Sequence, residues 1–390
     1  MRPGVDQLFT THHNFIEGKR VGLITNATGI DHHFVSTIDR LAQDKTTKLT
    51  ALFGPEHGVR GDHYAGAQIT DYVDERTSVP VYSLYGTTRR PNAEMLKNVD
   101  VLVYDIQDIG ARSYTYISTM ASAMVSAKEF GKKFVVLDRP NPLGGNLVDG
   151  NVLTPGYESF VGIYPIPYVY GMTPGECALY FNQEFGIGCD LTVVPMKNWT
   201  RDMVFMDTGL PWVPSSTHIP HPETAFFYSI TGMVGELQLY NEGVGYTLPF
   251  EVQGAPWVDA YKLADVLNAK NLPGVHFMPI LYSTRYHTYS DPSELCRGVQ
   301  IYITDYRKVR PFTVGVEVMH TLNQMYPEKN LFNPTEPKYK GRLDMFDKVM
   351  GSKMFRDMML GGKTVGDYEA AGKNEMADYM AKRAKILLYD

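Results

Sequence analysis

The chain has 390 residues, enough for one large or two ordinary domains, and its 44% hydrophobic and 21% charged residues are ordinary globular composition. A net charge of -6, from 37 Lys and Arg against 43 Asp and Glu, argues against a nucleic-acid or anionic-membrane partner, because either needs a concentrated basic surface. Three widely spaced cysteines (Cys177, Cys189, Cys296) rule out a disulfide framework and a four-cysteine zinc site, and no apolar run reaches the roughly 18 residues of a membrane helix.

In chain order, the first apolar run is 21–26, broken by Ala27-Thr28-Gly29 and followed by a helical pattern through Ile38 and Leu41. Strand candidates follow at 49–53 and 79–84, then a short helix at 93–97 and a nearly all-apolar strand at 99–106, the pattern of a strand covered on both faces. Ser113 is placed to cap a helix carrying Ile117, Met120 and Met124, after which 133–137 is the next strand. Short strands alternating with helices predict βαβ units and a Rossmann-like parallel sheet. Thr173-Pro174-Gly175-Glu176 opens another helix with a capping box, which gives Glu176 a structural role. A strand at 189–196 precedes an irregular, Pro-, Gly- and aromatic-rich stretch at 208–257, whose aromatic content argues against disorder. A new pattern then begins: a helix at 259–269, strands at 275–281 and 298–304, and helices to the C-terminus. These signals divide the chain near residue 255, into a Rossmann-like α/β catalytic domain (1–255) and a smaller α+β auxiliary domain (256–390).

Ligands of open α/β sheets sit at the carboxyl ends of the strands. Three of those ends, 54–61, 105–112 and 138–145, each combine a carboxylate with an arginine and Gly or Pro turns, which predicts a polar cleft. No dinucleotide, P-loop or serine-elbow motif fits, so no nucleotide cofactor is expected. The doublets His12-His13 and His32-His33 point apart on a helix or strand and chelate poorly; His57, Asp62 and His63 form the one plausible metal set. Without a metal, carboxylates carry the chemistry. Glu56 follows Pro55 in a Gly-flanked turn at a strand end, with His57 to orient it and Arg60 nearby. Glu236 sits in apolar surroundings that raise a carboxyl pKa by desolvation. Glu242 and Glu223 read equally well as turn or cap residues. The residues by themselves support a cleft enzyme or a sugar binder, and the 26 Tyr and 3 Trp suit a ring-stacking ligand. The first six residues lack a hydrophobic signal core, which leaves a cytoplasmic chain or an exported one already trimmed.

The motifs LFGPEHGVRG (52–61), PVYSLYG (80–86), DVLVYDIQDIGARSYTYISTM (100–120), VLDRPNPLGG (136–145), YPIPYVYGMTPGE (164–176), TGLPWVPSS (208–216) and GYTLPFEVQGAPW (245–257) resemble the bacterial exo-β-N-acetylmuramidases of peptidoglycan recycling, formerly a domain of unknown function. The resemblance implies a Rossmann-like catalytic domain, an auxiliary domain, and a glutamate-based site in the cleft between them. It implies release of terminal N-acetylmuramic acid from the non-reducing end of peptidoglycan fragments, without a cofactor or metal. Carried over to this chain, the glutamate of the Pro-Glu-His-Gly motif is Glu56. One motif departs: where many members read EGTNxSEGRGT, this chain keeps Glu236 but has Val244 in place of the arginine and larger or apolar residues between.

Glu56 and Glu236 are the catalytic candidates. Asn26, His57, Arg60, Asp105, Arg112, Tyr116, Arg139, Asn141 and His221 are the candidates for contact with a muramyl saccharide. Arg60, Arg112 or Arg139 is expected to grip the lactyl carboxylate, because guanidinium pairs with carboxylate bidentately. Two other functions stay open: a non-catalytic carbohydrate binder and a metal-dependent amide or ester hydrolase.

Overall fold

In the computed structural model, which describes residues 1–61, 70–284 and 295–390, the strand–helix alternation builds a seven-stranded sheet. Its strands are β1 (Arg20–Thr25), β2 (Lys48–Gly54), β3 (Tyr72–Val73), β4 (Pro80–Ser83), β5 (Val101–Asp105) and β6 (Lys133–Leu137). A two-stranded ribbon, β7 (Asp149–Val152) and β8 (Pro167–Val169), intervenes before the seventh, β9 (Leu191–Val194). The order is β3-β4-β2-β1-β5-β6-β9, parallel except for β3, which runs antiparallel to β4.

Helices α1 (Gly4–Leu8), α2 (Thr37–Gln43), α3 (Ala93–Leu96), α4 (Tyr116–Glu129) and α5 (Pro174–Glu184) cover this sheet. On one face Ile117, Met120, Met124 and Phe181 pack over Leu102, Tyr104, Phe134 and Val136. On the other, Val5, Leu8, Ile38 and Leu41 pack over Val21, Leu23, Leu52 and Val103. β5 is buried at every position, which is why its sequence is almost wholly apolar. The capping box at Thr173 and Glu176 forms as the sequence predicts. Ser113 does not cap α4; Thr115 holds the N-cap position, and Ser113 turns to other partners described below.

The second unit has a three-stranded antiparallel sheet, β10 (Val252–Ala255), β11 (Val275–Tyr282) and β12 (Cys296–Ile303), in the order β10-β12-β11. Helices α6 (Thr224–Thr231), α7 (Ala260–Ala269) and α8 (Pro311–Met325) pack with it, followed by short helices between Pro337 and Arg383. α6 lies inside the stretch expected to be irregular. Its sequence TAFFYSIT is buried at seven of eight positions, so it shows no amphipathic period to read. Gly315 lets α6 and α8 touch, since a Cβ there would fall 2.1 Å from the carbonyl oxygen of Ile230. The chain end returns to the first sheet. Tyr389 Oη donates to Asp138 Oδ2 at 2.5 Å, and the Arg201 amide donates to the Asp390 carbonyl at 2.8 Å.

Candidate active site

The chain runs outward through β1, β2 and β4, then returns to the opposite side of β1 through β5, β6 and β9. The topological switch point, where such sheets bind ligands, is therefore between β1 and β5. Its floor is closed by hydrogen bonds: Thr25 Oγ1 donates to the Asp105 carbonyl at 2.8 Å, and the Gln107 amide to Thr28 Oγ1 at 2.9 Å. Asn26, buried beside them, accepts from the Thr28 amide at 3.0 Å and so shapes this turn.

Glu56 stands on the β2 side of this point. The Gly58 amide donates to the Pro55 carbonyl at 3.0 Å, closing a turn in which His57 has φ 74°, a left-handed conformation usually left to Gly or Asn. Holding histidine there costs of order 1–3 kcal/mol, the kind of strain that gathers at functional sites. Glu56 is half-buried and accepts a long hydrogen bond from Thr115 Oγ1 at 3.4 Å. Tyr85, just past β4, faces the same carboxylate; burial, and next the charge of Glu56, push its phenol up to about 12. Tyr116, at the start of α4, is buried beside Asn26 and Glu56 and donates to the Ser215 carbonyl at 2.5 Å. His57 neighbours His218, whose pKa is lowered by burial and then by the His57 charge.

Glu236 stands in a turn after α6. Arg342 donates to its Oε2 at 2.6 Å, and burial raises its pKa against the pull of that guanidinium. Tyr168 and Tyr228 lie within electrostatic reach of Glu236, and both bind Ser113 Oγ, at 2.9 and 3.1 Å. The segment from Ser113 to Tyr116 thus reaches toward both carboxylates: Thr115 and Tyr116 to Glu56, Ser113 to the tyrosines beside Glu236. The ring of Tyr114 lies between, edge-on to Tyr116 at 4.9 Å and to Tyr228 at 5.5 Å.

The remaining candidates find the following partners in the structure. Arg112 is buried and donates to the carbonyls of Asn151, Ile166 and Val349 at 2.7–3.1 Å, so it ties the β5 loop to the second unit instead of lining a cleft. Arg139 and Asp105 spend their charges on each other, at 2.5 and 2.9 Å, and Thr37 completes the set. Asn141 donates to the Met172 carbonyl and accepts from the Leu143 amide, both at 2.9 Å, as a turn anchor. His221 is exposed and faces Glu251 rather than either catalytic candidate. Arg60 forms a two-point pair with Asp74, 3.0 Å on each branch, and retains 32% side-chain exposure. Of the three arginines expected to read a lactyl group, Arg60 is the one that keeps an exposed part.

The residues missed by sequence reasoning are Tyr85, Thr115, His218, Tyr228 and Arg342. Tyr85 carried a signal, since it lies in the PVYSLYG motif just past the end of β4. Arg342 carried none, because 106 residues separate it from Glu236. In the metal set His57, Asp62 and His63, the last two lie outside the described residues; among those described, no three His, Cys, Asp or Glu are grouped to hold a metal. One histidine of each doublet makes a part-buried pair, His13 with Asp44 at 2.6 Å and His32 with Asp6 at 2.9 Å. Among the described residues no helix is long and apolar enough to cross a membrane.

Comparison with known proteins agrees with this architecture. The N-terminal family model of the exo-β-N-acetylmuramidase NamZ matches residues 21–223, and the C-terminal model matches residues 226–389. The peptidoglycan β-N-acetylmuramidase NamZ of Bacillus subtilis (strain 168) is 45% identical over 389 residues, covering 100% of this chain and 91% of that protein. Two DUF1343 family proteins of Bacteroides fragilis NCTC 9343, solved by crystallography, share the fold. One has a TM-score of 0.93 at 46% identity and the other 0.76 at 29%, each covering 100% of this chain and 99% of its own. With both family models matched end to end and the strand-end motifs in place, the chain belongs to the exo-β-N-acetylmuramidase NamZ family.

Proposed function

We propose that this glycoside hydrolase releases terminal N-acetylmuramic acid from the non-reducing end of peptidoglycan fragments, with Glu56 and Glu236 dividing the chemistry between them. The observation that carries this reading is the Ser113–Tyr116 segment, which reaches toward both carboxylates from a single loop at the carboxyl end of β5. Glycoside cleavage needs a carboxyl that protonates the leaving oxygen and a second group that steadies or attacks the oxocarbenium-like centre. Glu56 supplies the acid–base function, because neutral hydroxyls of Thr115 and Tyr85 face it and suit either protonation state. Glu236 supplies negative charge, since its pairing with Arg342 at 2.6 Å opposes the protonation that burial favours. The acetamido group of the substrate can serve as internal nucleophile in place of a carboxylate. Arg60, through its exposed portion, is the group offered to the lactyl carboxylate.

The test is release of chromophore from a β-N-acetylmuraminide by the purified protein. Turnover by the wild type and its collapse in Glu56→Gln are expected. Saturable binding of muramyl disaccharide without turnover would instead support a carbohydrate binder. Turnover that requires a stoichiometric transition metal would point to metal-dependent hydrolysis.

A further inference from the structure

Behind Glu236 lies a carboxyl that the chemistry above does not use. Glu242 is 3% exposed, and its neighbours Tyr240 and Gln253 are 2% and 0% exposed. The antiparallel bridge between Asn241 and Gly254 sets Glu242 opposite Gln253 in register. Glu242 Oε2, the Tyr240 hydroxyl and both amide atoms of Gln253 have no hydrogen-bond partner among the described residues. The carboxyl lies against the backbone beside Glu236: a Cβ on Gly235 would fall 3.2 Å from Glu242 Oε1, so the carboxyl packs closely on this glycine.

An anion in such a place is costly, because a buried charge without a counter-ion forfeits its hydration and gains nothing in return. Among the described residues, the titratable groups facing Glu242 are Glu236 from the turn after α6, Tyr240 from its own segment and Tyr282 from β11. None of them supplies a positive charge. Burial, and then the negative charge of Glu236, push the Glu242 carboxyl up to about 8.

We propose that Glu242 is a positioning residue: its neutral carboxyl packs on Gly235 and holds the turn that presents Glu236, leaving Glu236 as the anion there. This rests on the role assigned to Glu236 above. It also predicts when the device fails. As pH rises past about 8, Glu242 becomes an anion beside Glu236, the turn is pushed apart, and turnover falls by roughly tenfold per further pH unit, the behaviour of a single required protonation.

The experiment compares the wild type with Glu242→Gln and Glu242→Leu, measuring kcat, KM and thermal melting across pH. The amide of Gln is neutral at every pH, so Glu242→Gln is expected to flatten the alkaline fall in kcat. Glu242→Leu keeps neutrality but loses the planar carboxyl that packs on Gly235; kcat should drop about tenfold with KM moving much less, and Gln should rescue it. The proposal is overturned if Glu242→Gln keeps the wild-type alkaline fall, or if it is as impaired as Glu242→Leu.

Melting provides an arm that does not depend on turnover. A carboxyl whose folded pKa lies above its unfolded value costs stability progressively as pH rises from the unfolded value through about 8. The melting-temperature advantage of Glu242→Gln over wild type should therefore be larger at pH 9 than at pH 5. An advantage equal at both pH values overturns the neutral carboxyl. If the wild type fails to cleave a β-muraminide while melting behaves as expected, the assigned reaction is wrong and the neutral Glu242 stands.

Discussion

The loops after β2 and after β5 and β6 are built from the same materials, an acid, an arginine and Gly or Pro turns, yet they end in different states. After β5 and β6 the carboxyls turn to partners inside the protein. Asp105 takes Arg139 and Thr37, Asp108 accepts from Tyr170 at 3.0 Å, and Asp138 accepts from Thr173, Gly175 and Tyr389. After β2, Glu56 stays half-buried on a strained turn, with the hydroxyls of Thr115 and Tyr85 turned to it. Composition at a strand end therefore marks where a sheet is polar. What each carboxyl there does is decided by partners that arrive from elsewhere in the chain.

The largest expected effect would break this contrast if it failed. Glu56→Gln keeps volume and hydrogen-bonding capacity but cannot ionise, and removal of a general acid–base typically costs 10²–10⁴-fold in rate. A variant that keeps more than about a tenth of wild-type kcat, with unchanged melting, would strip Glu56 of that role. On the other side of the contrast, Arg139→Met leaves Asp105 buried without its counter-ion. Breaking a buried pair by removing one partner costs about 3–5 kcal/mol. Urea unfolding should show that loss while KM for the muraminide changes little; a large rise in KM at intact stability would return Arg139 to the substrate.

The contrast also explains what could be read from the sequence. β5 and β6 were legible because a strand buried on both faces must be apolar throughout, and the capping box of α5 was legible because all its partners lie within four residues. α6 was hidden, since a helix buried all round has no polar face to give a period. The ion pairs were hidden for a different reason. Arg112, Arg139 and Arg60 have the same local appearance, and only the fold shows that Arg112 reaches carbonyls 39 to 237 residues away while Arg60 keeps an exposed portion. Glu56 was legible because its turn is local. The partner of Glu236 was not, because Arg342 lies 106 residues further along the chain.

That partner offers a sharper, smaller test. Arg342 holds the pKa of Glu236 down against burial, so Arg342→Met should let it rise further. The limb of the kcat/KM profile that belongs to Glu236 must then move to higher pH, whichever protonation state the reaction needs. A charge-assisted hydrogen bond is worth about 1.5–3 kcal/mol, and with both side chains about a third exposed the lower end is expected. A profile that stays in place, or moves down, would mean that the pair does not tune the site.

The smallest effect concerns the chain end, which belongs wholly to the inward-facing side of the contrast. Tyr389 donates to Asp138 at 2.5 Å, its hydroxyl accepts from the Met196 amide at 2.9 Å, and its ring meets Trp199 edge-on at 5.1 Å. Tyr389→Phe keeps the ring contact and removes both hydrogen bonds. Asp138 keeps Thr173 Oγ1 at 2.8 Å and the Gly175 amide at 2.7 Å, so its carboxyl is not left bare. The expected loss is therefore that of ordinary hydrogen bonds, about 0.5–1.5 kcal/mol each, read as a modest fall in the denaturation midpoint with the slope unchanged. Turnover should be untouched, because Asp138 lies at the end of β6 with its carboxyl already hydrogen-bonded to α5 and the chain end. If Tyr389→Phe slows the enzyme without lowering its stability, the β6 edge is not merely structural, and the division between the two kinds of loop would have to be redrawn.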